Sequence, residues 1–217
     1  MDGNKRWSRK NKLTLRQGYL KGLSNIRQIT KCCINQDIKN LTIYALSSEN
    51  LKRPTVGTIF SILNSEYKKI FNEFEIENLV KIKIIGERKN LPKNIINIIN
   101  DIEIRTKNNK KINLNIAFNY GTDKEIISIF KKILNKDNLK KVRKNKKTIY
   151  DNLYLSHSND PDLLVRTGGY KRLSNFILLN LSYTELFFTD TLWPDLSEKE
   201  LKNIFNNFYK IKRNYGL

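Results

Sequence analysis

The chain has 217 residues, a formal net charge of +20 and 39% hydrophobic residues. That length suits one domain, residues 1–217, with a sizeable core, and regular apolar blocks containing ten Tyr, ten Phe and two Trp argue against disorder. Apolar runs stay below the roughly 18 to 20 residues of a membrane span, the first residues lack the apolar core of a signal peptide, and Cys32 and Cys33 are neighbours poorly placed to staple a fold. A cytoplasmic protein is expected, with membrane contact at most peripheral, at the inner face of the membrane.

Positive charge of this size raises nucleic acid as a partner. Lys, Asn and Ile are however used heavily everywhere, so the charge reads as compositional and no nucleic acid is expected.

The chain opens on Met1-Asp2-Gly3-Asn4-Lys5-Arg6-Trp7, a carboxylate beside a glycine and a basic turn, suited to a helix start whose free N–H groups attract phosphate oxygens. Helical spacing follows at Leu20, Leu23, Ile26 and Cys33. A strand over 41–46 runs into Ser47-Ser48-Glu49-Asn50-Leu51-Lys52-Arg53-Pro54. Ile59, Ile62, Leu63, Tyr67, Ile70 and Phe74 predict a helix, 80–85 a strand, and Ile95, Ile96, Ile99 and Ile102 another helix. The strand at 112–118 runs into Asn119-Tyr120-Gly121, ahead of a helix through Ile126, Ile129, Phe130 and Ile133. Residues 135–147 are strongly basic but hold no aromatic residue to stack on a base, and read as an exposed helix and loop. His157 reads as a turn residue. Strands are expected at 163–165 and 176–181, and Ser197 with Glu200 resembles a capping box for a last helix through Leu201, Ile204, Phe205 and Phe208.

Strand and helix alternate, which predicts an α/β domain with a central, mostly parallel sheet flanked by helices. Ligands of such sheets gather at the carboxyl ends of the strands. Three of those ends carry polar groups suited to an anion, although Ser and Asn there are also common turn formers. The loop Arg166-Thr167-Gly168-Gly169-Tyr170-Lys171-Arg172-Leu173-Ser174-Asn175-Phe176 spaces two guanidinium groups and a hydroxyl along one segment, which matches phosphate geometry.

Four blocks in order, MDGNKRW, YALSSENLKRP, LNIAFNYG and DLLVRTGGYKRLSNF continuing into LSYTELFFTDTLWPDL, resemble the cis-prenyltransferase family over essentially the whole chain. A DDxxD motif and a GxxxxGK[ST] loop are both absent from the sequence. The resemblance implies condensation of isopentenyl diphosphate, repeatedly, with an allylic diphosphate such as farnesyl diphosphate. The product would be a cis-polyprenyl diphosphate, a lipid carrier for cell-wall glycans. It further implies an apolar tunnel for the growing chain, lined in part by 59–74, and a homodimer. Carried over by position, Asp2 resembles the Mg²⁺-binding catalytic carboxylate, with Gly3, Asn4, Lys5, Arg6 and Trp7 around the allylic diphosphate. Arg166, Arg172 and Ser174, with Leu173 between the last two, resemble the clamp on isopentenyl diphosphate, and Glu185 the second metal-associated acid. Asn50, with Ser47, Ser48, Glu49 and Arg53 around it, matches the segment associated with proton removal.

The chain departs from the family pattern in places. Gly18-Tyr19-Leu20-Lys21-Gly22 stands where the family has Gly-His-x-x-Gly, the family's nearby arginine falls on Leu15 with Arg16 one place off, and Tyr170 replaces a common acid. Leu51 replaces an aromatic residue, and Thr122-Asp123 a Gly-Arg pair. The family also places an apolar strand before the first block, so a start upstream of Met1 is expected. Because Asp2 and the arginines are kept, an active enzyme is expected. The alternatives are a catalytically weak subunit of a cis-prenyltransferase complex or a basic RNA-binding protein.

Overall fold

A computed structural model of the chain describes residues 1–75, 79–134 and 147–214. Three parallel strands, β1 (Asn40–Ser47), β2 (Val80–Ile85) and β3 (Ile112–Tyr120), form a sheet in the order β1-β3-β2. The central β3 is buried along nearly its whole length. That explains the unbroken apolar blocks, since a parallel strand covered on both faces has no solvent side to alternate with. A second, two-stranded parallel sheet joins β4 (Leu163–Arg166) to β5 (Glu185–Phe188), with Leu163 opposite Glu185 and Arg166 opposite Phe188.

Helices α2 (Leu15–Asn35) and α7 (Glu198–Phe208) bury Ile26, Ile29, Leu201 and Phe205 with Ile43, Ile82 and Leu114 of the sheet. Helices α3 (Val56–Glu75) and α4 (Lys93–Thr106) cover the strand ends, where Leu46 and Phe118 meet Ile95, Ile98 and Ile99. The remaining helices are α1 (Asn4–Lys10), α5 (Thr122–Ile133) and α6 (Lys147–Tyr150). The polar stretch 135–146 lies outside the described residues.

Two expectations are corrected. Residues 176–181 form no strand: Ser174, Asn175 and Ile177 have φ of 50°, 61° and 38°, and a 3₁₀ turn spans Leu178–Asn180. Phe176 stacks on Tyr44 at 4.5 Å and Ile177 is buried, while the Leu178 N–H donates to Thr122 Oγ1 at 3.0 Å. The segment is apolar because it plugs a corner, and its backbone donors bond Thr122 at the start of α5 and carbonyls of the loop itself instead of a ladder. The fifth strand is instead Glu185–Phe188. At α7, only half of a capping box forms: Ser197 Oγ accepts from the Glu200 N–H at 3.1 Å, but the Glu200 carboxylate accepts from Thr189 Oγ1 at 2.7 Å. The complete box is at α2, between Thr14 and Gln17.

Candidate active site

The two segments that stand at opposite ends of the sequence meet in space. Asp2 is fixed through its backbone: its N–H donates to Thr167 Oγ1 at 3.0 Å, and its carbonyl accepts from the Trp193 N–H at 2.9 Å. That places the carboxylate between two guanidinium groups, Arg6 Nη2 at 3.3 Å from Oδ1 and Arg166 Nη2 at 3.1 Å from Oδ2. The Arg166 side chain is only 14% exposed, against 42% for Arg6 and 37% for Asp2. Arg166 is thus the fixed member of the group and the others form its open side.

Arg166 sits at the end of β4, and its Nη1 donates to Ser174 Oγ at 2.9 Å and to the Arg172 carbonyl. Arg6 Nη1 donates to the Gly168 carbonyl at 2.7 Å. Gly168 has φ 87°, and a Cβ there would lie 2.5 Å from Arg6 Nη2, so the close approach of Arg6 needs a residue without one.

A second polar cluster forms where β1 and β3 end. Asn175 Nδ2 donates to Glu49 Oε1 at 3.1 Å and to Asp123 Oδ1 at 2.7 Å, tying together the loops after β4, β1 and β3. Burial alone would raise the Glu49 carboxyl, but hydrogen bonds from Asn175, its own N–H and Ser47 outweigh it and hold it below the ordinary carboxylate range. Asn50 opens a 3₁₀ turn and its N–H donates to Ser47 Oγ at 3.2 Å. Ser48 is buried, its N–H bonded to the Tyr120 carbonyl at 2.8 Å, and Arg53 is exposed. Asn175 and its neighbour Ser174 therefore link the Asn50 segment to the Arg166 group.

Behind the Asp2 group lies an open apolar cavity bounded by the sheet and by α2, α3 and α4. Asn4, Tyr19 and Trp193 line one end, and Ile62, Leu63 and Ile98 are among its apolar walls. Asn4 Oδ1 is buried with no hydrogen-bond partner, an acceptor available at the cavity wall. α1 crosses α2 at two glycines: a Cβ on Gly18 would lie 2.8 Å from the Asn4 carbonyl oxygen, and one on Gly22 would overlap Asn4 Oδ1.

The other expected residues fall in different places. Trp7 Nε1 donates to Asp195 Oδ1 at 2.6 Å, fastening α1 to the 3₁₀ turn Trp193–Asp195. Lys5 is exposed, Gly3 caps α1 with φ 113°, and Leu173 is half-buried in the clamp loop. Arg16 bonds Glu66 and Ser65 on α3, at 2.9 and 3.0 Å, and so serves helix packing. Glu185 lies at the opposite end of the β4–β5 ladder from Arg166, three residues or roughly 10 Å along the strand. Thr167 and Asn175 escaped sequence reasoning: they act on groups distant in sequence, and no local period marks them.

The geometry is a cluster of arginines around one carboxylate beside an apolar chamber, and comparison with known proteins shows the family. The sequence profile of the undecaprenyl diphosphate synthase family matches residues 1–216. The chain belongs to that family. It is 38% identical over 218 residues to the isoprenyl transferase of Aquifex aeolicus, covering 100% of this chain and 93% of that protein. It is 37% identical over 220 residues to the isoprenyl transferase of Oceanobacillus iheyensis, covering 100% of this chain and 87% of the other. Among solved structures, lavandulyl diphosphate synthase from Lavandula x intermedia, in complex with dimethylallyl diphosphate, superposes with a TM-score of 0.86 at 27% identity, covering 100% of this chain and 95% of that one. A probable undecaprenyl diphosphate synthase from Campylobacter jejuni gives a TM-score of 0.80 at 33% identity, with 91% and 92% covered. This undecaprenyl diphosphate synthase family member is accordingly a cis-prenyltransferase, an enzyme of isoprenoid biosynthesis.

Proposed function

We propose that the chain condenses isopentenyl diphosphate repeatedly with farnesyl diphosphate, in the presence of Mg²⁺, to make a cis-polyprenyl diphosphate lipid carrier for cell-wall glycans. The observation that carries this reading is the juxtaposition of Asp2, Arg6 and Arg166 with an apolar cavity whose wall includes Asn4. A diphosphate head fits the first and a growing hydrocarbon chain the second.

Arg166, Arg172 and Ser174 would hold isopentenyl diphosphate, and Arg6, Gly3, Asn4 and Lys5 the allylic diphosphate. The allylic C1–O bond breaks with its electron pair leaving on the diphosphate. The double bond of isopentenyl diphosphate supplies the pair for the new C–C bond. A proton then leaves the adjacent carbon and the double bond re-forms. Asn50 is a poor base, so a diphosphate oxygen takes that proton and the Ser47–Arg53 segment orients it.

Among the described residues no cluster of three or more His, Cys, Asp or Glu side chains is present. One exposed carboxylate, Asp2, with phosphate oxygens completing the shell fits Mg²⁺, which is commonly bound by one or two carboxylates and substrate phosphates. When bound, Mg²⁺ offsets charge on the leaving diphosphate. Glu185, at the far end of its ladder, would reach such a metal from a second copy of the chain, in a homodimer. Among the described residues no helix is long and apolar enough to cross a membrane. Product transfer to lipid would therefore occur by peripheral contact.

The test is product analysis. The purified protein given both diphosphates and Mg²⁺ should yield butanol-extractable lipid longer than its starter by several five-carbon units. Recovery of the starter unchanged would contradict the proposal.

A further inference from the structure

Arg6, Arg166 and Arg172 converge on one aromatic ring. Their guanidinium carbons lie 4.9, 5.8 and 4.2 Å from the centroid of Tyr170. Three like charges this close repel one another. Asp2 offsets part of that repulsion through Arg6 and Arg166. For Arg172 the Tyr170 ring is the one side-chain partner seen among the described residues. The loop is bent to this position by Gly168 and Gly169, with φ of 87° and 80°, whose N–H groups bond the Thr191 and Thr189 carbonyls at 2.9 Å each. Tyr170 itself is 42% exposed, so its placement owes more to the arginines than to a core.

The chemistry of a ring differs here from that of an acid, the residue common at this place in the pattern the loop resembles. A carboxylate would bind guanidinium N–H groups directly and compete with an incoming phosphate. An aromatic face attracts the cation through its quadrupole and leaves the N–H donors available. A guanidinium has five of them, arranged in a fork that matches phosphate. Arg6 belongs to the first diphosphate subsite and Arg166 and Arg172 to the second, so the ring lies at the seam between them.

We infer that Tyr170 is a positioning residue, a neutral platform that gathers the arginines of both diphosphate subsites without itself taking up any of their N–H donors. The inference rests on the function proposed above, and its test separates the two. Calorimetric titration with inorganic pyrophosphate in Mg²⁺ buffer is made on the intact protein, on Tyr170→Phe and on Tyr170→Leu. Leucine keeps bulk without the quadrupole, and phenylalanine keeps the ring without the hydroxyl.

Tyr170→Phe should bind within about twofold of the parent, and Tyr170→Leu about 3- to 10-fold more weakly, as expected for loss of partly exposed cation–π contacts. In turnover the Leu variant should raise KM for both substrates with a smaller change in kcat, whereas a role in shaping the loop alone would be met by leucine. Equal affinity in the Leu variant and the parent overturns the inference and leaves the proposed function standing, as does a Phe variant as weak as the Leu one. Failure of the parent to bind pyrophosphate overturns the diphosphate site, and the inference with it.

Discussion

Arg166 Nη2 lies 3.1 Å from Asp2 Oδ2 across 164 residues of sequence, and this pair joins the start of the chain to the end of β4. The backbone around it is fixed independently, by Thr167 to Asp2 and by Trp193 to Asp2, so the two side chains are held together whether or not they attract. A carboxylate and a guanidinium are thereby kept side by side, each partly neutralising the other, and under the proposed function both would face one diphosphate.

Arg166→Lys keeps the charge and loses the fork that reaches Asp2, Ser174 and the Arg172 carbonyl together. We expect KM for isopentenyl diphosphate to rise by about 10- to 100-fold, the range for loss of a charge-assisted hydrogen bond. Steady-state kinetics with the allylic substrate saturating would measure it. An unchanged KM would remove Arg166 from the clamp.

Asp2→Ala and Glu185→Ala should each be inactive alone. If the two acids serve one metal from different copies, mixing the inactive variants under subunit exchange should restore activity to about a quarter of the parent, because half the dimers are mixed and each of those keeps one intact site. A mixture as inactive as its components would place both acids in one copy's site or exclude Glu185.

Ile98 lines the cavity from α4, a wall helix that packs on α3, which packs on α2, which in turn packs on α1. Ile98→Phe should shorten the product while sparing the first condensations, at a stability cost of about 1 to 3 kcal/mol from overpacking. Reversed-phase separation of the extracted lipids would reveal a shifted distribution. A product of unchanged length would mean that the chain does not grow toward α4.

His157 bridges two sheet residues, with Nε2 at 2.9 Å from Asn115 Oδ1 and Nδ1 at 3.0 Å from Lys83 Nζ. The neutral ring satisfies both, donating to Asn115 and accepting from Lys83, whereas a protonated ring would turn an N–H toward an ammonium. Partial burial of the ring and then the charge of Lys83 hold its pKa below the ordinary histidine value. The unfolded chain thus binds the proton more readily, so stability is full above the unfolded histidine pKa of about 6.5 and falls as pH drops through the folded value. Urea titrations at pH 7.5 and 5.5 should show a loss at the lower pH that is smaller in His157→Gln. An equal loss in that variant would assign the acid sensitivity to other groups.

Much of the fold can be read from residue pattern because parallel strands covered on both faces leave unbroken apolar blocks. β1, β2, β3 and β4 all announce themselves this way. The same signal misleads at 176–181, where apolar content reports burial but not conformation, and it misses Glu185–Phe188, a four-residue strand that begins with a charge. Asp2 and Arg166 are marked as anion or metal residues by their types, but their meeting is a tertiary fact carried by Thr167 and Trp193. Arg16 shows the reverse case. Its type suits a phosphate site, yet it donates to Glu66 and Ser65, because the packing of α2 on α3 decides where that side chain points.

The most direct measurement is incorporation of labelled isopentenyl diphosphate into butanol-extractable lipid, with farnesyl diphosphate and Mg²⁺, by the parent, Asp2→Ala and Arg166→Ala. The account predicts clear incorporation by the parent and a loss of about 100-fold or more in each variant, the scale seen when a group stabilising transition-state charge is removed. Incorporation by Asp2→Ala or Arg166→Ala at the parent's rate, or none by a folded parent, would contradict it.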